Sequence, residues 1–588
     1  MSGDNEKNKR ISKSDKTLLE QYIPISDWLP EYHLPDIKKD LRAGLTVGVL
    51  LIPQSMAYAI IAGLPAIYGL YASIIPLAVY AVFGTSRQLA IGPVAIISLL
   101  VATGVGSVAE AGTREYIELA LALAFFVGLT QILMGAFRLG FLMNFISSPV
   151  LSGFTSAAAF IIGFSQLNNL LGVEIQQSKY VFVVIREAIT KIENIHLLTL
   201  AIGVVSILVI AIFKKRWPSF PIELITVLAG ITGVWFFELD EAGVAVVGSV
   251  TEGFPVPAIP NIVDFPFGPN FPFGPLAPTI LAIAFLSFTQ SIALAKTMVR
   301  KNPTYKIDSN QELYSLGLAN MIGSIFKAYP VAGSFSRTIV NDENRAKTSL
   351  SLVVSALLVT IIVLFLTPLI YYLPKTVLAA IIITAVPGLI DWGEVKFLWR
   401  VRKREFGLLA ITFLSTLLFG ILEGIGIGVM LSLTVVIYQS NYPNIVMLGR
   451  IPETDKYRDL QRYPEAKTQS NTIIVRIDSS LYFANIEFMK EKLEELEIQS
   501  GKTLEQVIID ATGINDVDSS ALHALEEVIE EYHSRDIQVI FANVKGPVRD
   551  IFKRSGLVDL VGEDNFYLDI NKAVADLEKE VEVPSHLA

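Results

Sequence analysis

Arg337 stands where a charge is expensive. It lies in the stretch Tyr329–Asn341, YPVAGSFSRTIVN, with apolar sequence on both sides. A guanidinium at bilayer depth costs several kcal/mol, and such a residue marks a functional site unless it can reach the interface. The small pair Ala332-Gly333 precedes Ser334, Ser336 and Arg337, and the polar run Asn341-Asp342-Glu343-Asn344-Arg345 closes the stretch. That pattern predicts a short helix that starts inside the membrane, with unpaired N–H groups and a positive dipole end facing a cavity. Broken helices are tolerated at this depth only where they line a site. An ordinary spanning helix with a snorkelling arginine is the competing reading.

The rest of the chain must hold that stretch in a bilayer. Its 588 residues are 52% apolar, too apolar for one soluble domain and long enough for many spanning helices. The absence of Cys removes disulfides, thiolate metal sites and cysteine nucleophiles, and the five His show no metal-ligand spacing. No metal site is therefore expected. The net charge of −9 says little about a cargo, because much of the acid sits near the C-terminus. Residues 1–20 are polar and lack an apolar h-region, so they are expected to be a flexible cytoplasmic tail rather than a cleaved signal.

Trp28, Tyr32, Lys38, Lys39 and Arg42 have the composition of an interfacial segment that leads into the membrane. Apolar segments then follow at 44–62, 68–84, 93–108, 117–137, 147–170, 197–213, 221–237, 277–299, 310–326, 334–345, 349–370, 376–390, 406–421 and 424–440. The third, after Gly92-Pro93, and the tenth, after Gly333-Ser334, are too short to span. They hold corresponding places in two halves of seven, which is the sequence pointer to an inverted-repeat transporter. Basic residues support the count. They gather in the connections at Lys214-Lys215-Arg216, Arg300-Lys301 and Lys396–Arg404, whereas the loop 238–276 has no Lys or Arg. Both termini are thus expected in the cytoplasm. The transmembrane region is placed at 21–440. Gly420, Gly424 and Gly428 are read as helix-packing positions.

After Asn441 the composition changes. Residues 441–470 are expected to be a linker and 471–580 a small cytoplasmic α/β domain, with strands at Val507–Ile509 and Val539–Phe541 alternating with helices. Residues 581–588 are read as a tail.

Several long motifs, in order, resemble the sulfate permease (SulP) family, solute-carrier family 26. They are DLRAGLTVGVLLIPQSMAYAIIAGLPAIYGLYASIIP (40–76), GPVAIISL (92–99), KIDSNQELYSLGLANMIGSIFKAYPVAGSFSRTIVN (306–341) and SNYPNIVMLGRIPETDKYRDLQRYPEA (440–466). LYFAN (481–485) and DATGINDVDSSAL (510–522) resemble a STAS domain. The resemblance implies an α-helical polytopic membrane protein of fourteen segments, built as a seven-plus-seven inverted repeat with core and gate domains. It also implies a homodimer, and an anion site that falls here on Gln54, Tyr58, Val94, Ser334, Ser336 and Arg337. In such a site the third and tenth segments meet N-terminus to N-terminus, and Arg337 adds a planar fork suited to oxyanions. Val94 replaces an aromatic found in some relatives and gives a wider wall.

Many bacterial relatives carry a glutamate where this chain has Gln290. Gln290 cannot titrate, so coupling to protons through that position is not expected; exchange, or Na⁺ held by the oxygens of Ser287, Thr289 and Ser291, is the alternative. Glu223 and Glu423 lie near predicted segment ends and are expected to be interfacial or paired, with a proton relay as the alternative. Ser309 with Glu312 has capping-box spacing. Ser519 and Ser520 align with the phosphorylated loop of bacterial antagonists, and helix capping is the favoured role.

These readings converge on a secondary transporter of small inorganic anions such as sulfate, bicarbonate or chloride in the cytoplasmic membrane. No cofactor, nucleic-acid partner or enzymatic activity is implied. An anion channel, or an anion sensor signalling through the STAS domain, is the alternative.

Overall fold

The computed structural model describes residues 23–582 apart from 142–146, 176–179, 218–219, 249–252, 258–271, 302–304, 469–470 and 502. The expected tail at 1–20, residues 583–588 of the tail expected at 581–588, and much of the loop expected over 238–276 lie outside the described residues; 581 and 582 end a helix instead. The chain divides into two compact units, 1–432 and 433–588.

Each of the fourteen predicted segments corresponds to a helix. They are α1 (Leu34–Ile61), α2 (Ile75–Phe83), α3 (Ala95–Val105), α4 (Arg114–Ala136), α5 (Ser148–Ser165), α6 (Leu197–Arg216) and α7 (Ile222–Phe237). The second seven are α8 (Phe273–Lys301), α9 (Ser309–Ile325), α10 (Phe335–Glu343), α11 (Leu350–Phe365), α12 (Lys375–Ala385), α13 (Lys403–Phe419) and α14 (Ile421–Asn441). A two-residue strand precedes α3 (β1, Ile91–Gly92) and another precedes α10 (β2, Ala332–Gly333). With 11 and 9 residues, α3 and α10 reach only about 17 and 14 Å at about 1.5 Å per residue, against a hydrocarbon core of about 30 Å. Neither can span.

Helix packing repeats when seven is added to each number. The pair α1–α11 recurs as α8–α4, α1–α10 as α8–α3, α4–α9 as α11–α2 and α5–α13 as α12–α6. The seven-plus-seven repeat is therefore present in the contacts. The helices also sort into two groups: α1–α4 with α8–α11, and α5–α7 with α12–α14. Where α4 crosses α9, a Cβ on Gly128 would sit 2.5 Å from the Gly317 carbonyl, and one on Gly317 would sit 2.7 Å from that of Gly128. The backbones touch there because neither residue has a side chain. Gly424 and Gly428 press against Thr416 and Thr412 in the same way, as expected for packing positions.

Two fully buried carboxylates clasp the loops of this unit. Asp40 accepts from the Tyr32 hydroxyl at 2.9 Å, the Lys347 N–H at 2.6 Å and the Thr348 hydroxyl at 2.5 Å. Glu312 accepts from the Tyr80 hydroxyl at 2.8 Å, both the N–H and hydroxyl of Thr85, and the Ser86 N–H. The capping box expected from Ser309 and Glu312 is thus not formed. Asp308 caps α9 by accepting from the N–H groups of Asn310 and Gln311, which leaves Glu312 to bind the loop after α2.

The second unit is a six-stranded sheet. Its strands are β3 (Ile445–Arg450), β4 (Tyr457–Asp459), β5 (Thr472–Ile477), β6 (Gln506–Asp510), β7 (Gln538–Ala542) and β8 (Phe566–Tyr567), in the order β4-β3-β5-β6-β7-β8. The strands β5 to β8 pair parallel, while β3 runs antiparallel to β4 and β5. Near-continuous apolar runs such as TIIVRI and QVIFA follow from burial on both faces. One face is covered by α15 (Ile486–Ser500), α16 (Ser519–Ser534) and α17 (Gly546–Ser555), the other by α18 (Ile570–Glu582). The expected linker 441–470 needs correction, because it contains β3 and β4. The polar run after Arg450 reads as a connection, but β3 gains its place only by pairing with β5, a contact no local pattern announces.

Candidate functional site

The two broken helices meet through their leading strands. β1 pairs antiparallel with β2, Ile91 opposite Gly333 and Gly92 opposite Ala332. The Ser334 N–H donates to the Ala90 carbonyl at 2.9 Å, and the Ala90 N–H donates to the Thr338 hydroxyl at 3.0 Å. Val94 and Ser334 are the extended residues from which α3 and α10 begin, and neither supplies a side-chain cap. Two sets of first-turn amides, each with about half a positive charge, therefore converge.

Arg337 is fully buried within this junction. Its Nη2 donates to the Pro93 carbonyl at 2.9 Å, while Nε and Nη1 have no partner among the described residues. Buried donors are nearly always satisfied, so a guanidinium with two idle donor nitrogens is set up to receive an acceptor. Snorkelling is excluded by the burial. Gly92 admits the arginine: its φ of +142° disfavours a side chain, and a Cβ there would sit 3.2 Å from Nη2. The site also has an open side, for Ser336 is exposed and Phe335 is 57% exposed. Ser334 is buried, with its hydroxyl 3.4 Å from that of Ser336.

Polar side chains in the apolar segments hold this arrangement, among them Gln131, Asn320 and Ser98, which the sequence reading passed over. The Gly333 N–H donates to the Ser291 hydroxyl at 2.8 Å. Asn320 accepts from the Val331 N–H at 2.8 Å and donates to Gln131 at 3.0 Å, and Gln131 donates to the Ser287 hydroxyl at 2.8 Å. Tyr329 and Ser98 join the two halves by a hydroxyl pair at 3.1 Å. Gln131 and Asn320 carried a usable signal, since polar side chains in apolar segments are seldom idle. The hydroxyls of Ser287, Thr289 and Ser291 donate to the carbonyls of Ile283, Phe285 and Ser287 within helix α8. Gln290 beside them is half-buried.

Gln54 and Tyr58 lie one turn apart on α1. Tyr58 is close enough to Arg337 to interact with its charge. Gln54 differs from expectation. Its Nε2 donates to Glu223 on α7 at 3.1 Å, so the amide donor is committed to a carboxylate. Glu223 is 3% exposed and also binds Lys214 at 3.2 Å, which makes it a buried paired group rather than an interfacial one. Glu423 is exposed. In the second unit, Asp518 caps α16 by accepting from the Ala521 N–H at 2.8 Å. Ser519 and Ser520 are exposed on its first turn, so the capping role expected of them belongs to their neighbour.

The Sulfate permease family profile matches residues 37–412 and the STAS domain profile residues 463–573. The chain belongs to the sulfate permease family. The chain is 40% identical over 572 residues to sulfate transporter 4.1, chloroplastic, of Arabidopsis thaliana, covering 95% of this chain and 82% of that one. It is 33% identical to high affinity sulfate transporter 2 of Stylosanthes hamata, covering 94% and 86%. Murine solute carrier 26 family member A9, an anion transporter solved in the inward-facing state, superposes with a TM-score of 0.87 at 26% identity over 98% of this chain and 97% of that one. The transmembrane domain of the cyanobacterial bicarbonate transporter BicA shares the fold, with a TM-score of 0.57 at 20% identity over 68% of this chain and 98% of that one. Membership of the sulfate permease family makes the chain a multi-pass membrane transporter of anions, not an enzyme.

Proposed function

We propose that this chain is a secondary transporter of sulfate, with Arg337, Ser334, Ser336, Tyr58, Gln54, Val94 and the first-turn amides of α3 and α10 as its anion site. The single observation that carries the reading is the buried Arg337, with two donor nitrogens unpaired where two helix N-termini converge. A tetrahedral oxyanion matches that donor set, because it presents oxygens to a planar fork and to two amide fans at once. Sulfate is favoured over bicarbonate and chloride because the 40% and 33% identical relatives carry sulfate in their names. The group α1–α4 with α8–α11 carries the site and moves as a body against the other group, in an elevator-like step within a homodimer. Both termini face the cytoplasm in this reading, and Gln290 takes no part in proton uptake.

Labelled sulfate, bicarbonate and chloride uptake into proteoliposomes tests it. Saturable sulfate uptake, weakened in competition by other oxyanions, is expected. Anion binding without flux would favour a sensor, and non-saturating flux would favour a channel.

A further inference from the structure

Among the described helices long and apolar enough to span, α6 has the highest mean hydropathy, 2.6, yet little of it is buried. It packs on α12 and α7, and the three helices leave an open groove of about 410 Å³ between them. Its rim is exposed at Val205 of α6 and at Ile225 and Ala229 of α7, while Val377 of α12 is a buried part of its floor. Small residues hollow it out: a Cβ on Gly233 would meet nothing within 4 Å. Thr226 adds little polarity, because its hydroxyl donates to the Ile222 carbonyl of its own helix. The volume lies in the range of ligand pockets, about 300–1,000 Å³, but the lining suits a hydrocarbon rather than a polar ligand.

Length and charge say which hydrocarbon fits. The α7 wall runs from Ile222 to Val234. That is about 18 Å at about 1.5 Å per residue, against about 15 Å for one leaflet of the hydrocarbon core. An extended acyl chain covers that distance. At the Ile222 end stands the basic terminus of α6, where Lys214 binds Glu223, the neighbour of Ile222, at 3.2 Å. Lys215 and Arg216 follow, exposed and with no carboxylate partner among the described residues. Trp217 and Phe220 lie beside them, their ring centroids 5.3 and 6.1 Å from that of Phe213. Aromatic rings next to cations are the composition of a headgroup layer. The groove thus joins an apolar channel of one-leaflet length to a cationic mouth at interfacial depth.

We propose that the groove between α6, α7 and α12 is a site for one anionic phospholipid, with an acyl chain along Val205, Ile225 and Val377 and the phosphate on Lys215 and Arg216. Lys214 is already shared with Glu223, so the next two cations serve the headgroup. The bound lipid braces three helices of the group that does not carry the anion site, and holds that group in the bilayer. The inference does not depend on which anion is carried.

The test uses the full chain, delipidated in detergent, titrated with dioleoylphosphatidylglycerol or dioleoylphosphatidylcholine and read by native mass spectrometry. The native chain is expected to retain one phosphatidylglycerol, about 30-fold more tightly than phosphatidylcholine, the worth of two cations beside an anionic headgroup. Lys215→Gln with Arg216→Gln alters only exposed side chains and is expected to abolish that preference while phosphatidylcholine binding stays as it was. Gly233→Phe puts a ring into the empty part of the groove and is expected to weaken both lipids at least about tenfold, by displacing buried methylenes. Equal affinity of the native chain for the two lipids, or unchanged affinities in either variant, would overturn the inference. So would a change in the number of chains per particle in Gly233→Phe, which would assign the groove to a second copy. Should Gly233→Phe fail to fold, the charge pair decides alone.

Discussion

The starts of α3 and α10 have the same backbone and opposite side chains. Each is entered from one strand of the β1–β2 pair, through an extended residue that provides no side-chain cap. On the α3 side, Val94, Ala95 and Ile96 contribute amides and an apolar wall. On the α10 side, Ser334, Ser336 and Arg337 contribute the same amides with two hydroxyls and a full charge. Repeating the fold therefore gives two half-charges, and one copy alone adds the whole charge. The α3 side is the receiver: Gly92 makes room and the Pro93 carbonyl holds one nitrogen of the guanidinium.

The asymmetry is broken most completely by Arg337→Ala. It leaves both amide fans but no buried charge, and sulfate uptake in proteoliposomes is expected to fall at least about 100-fold, the upper end for a hydrogen bond to a charged group. Arg337→Lys restores a point charge without the fork, and about tenfold loss is expected to remain. Undiminished uptake by Arg337→Ala would falsify the division of labour.

Gly92→Ala attacks the receiving side. Its positive φ and the 3.2 Å approach to Nη2 together predict a loss of about 1–3 kcal/mol, visible as a lower Tm together with weaker sulfate binding. A normal Tm and affinity would show that the arginine can seat elsewhere.

Asn320→Ala removes the acceptor for the Val331 N–H and the link to Gln131. It should cost about 1–3 kcal/mol in thermal stability, with the KM for sulfate less affected than the maximal rate. The smallest effect is expected for Ser336→Ala. Its hydroxyl is exposed and replaceable by water, so a rise in KM of about two- to fivefold is expected in the same uptake assay.

Much of the scaffold was legible because it is written in local patterns. Apolar runs marked all fourteen helices, and the Gly, Pro and Ser breaks before the third and tenth runs marked the broken pair. Alternating apolar strands and amphipathic helices marked most of the second unit. Local pattern failed where a residue had a choice of partner. Ser309 and Glu312 have capping spacing, yet Asp308 is one residue nearer, and Tyr80 on α2 with three donors from the loop after it takes Glu312. Ser519 and Ser520 likewise yield to Asp518, whose carboxylate is the stronger acceptor at the cap. The stretch holding β3 and β4 looked like a linker because its pairing partner, β5, is remote in sequence.

The sequence by itself determined that a charge and two small-residue breaks lie inside a membrane, and that they hold equivalent places in two halves. Hydrophobicity and helix length decide this, and both are properties of single segments. Only the tertiary structure decided what Arg337 and Gln54 face. One keeps two donor nitrogens without a partner among the described residues, whereas the other gives its donor to Glu223, 169 residues away in the chain. Hydrogen bonds are directional and saturable, so the partner taken depends on which distant helix is brought alongside, and composition alone carries no record of that choice.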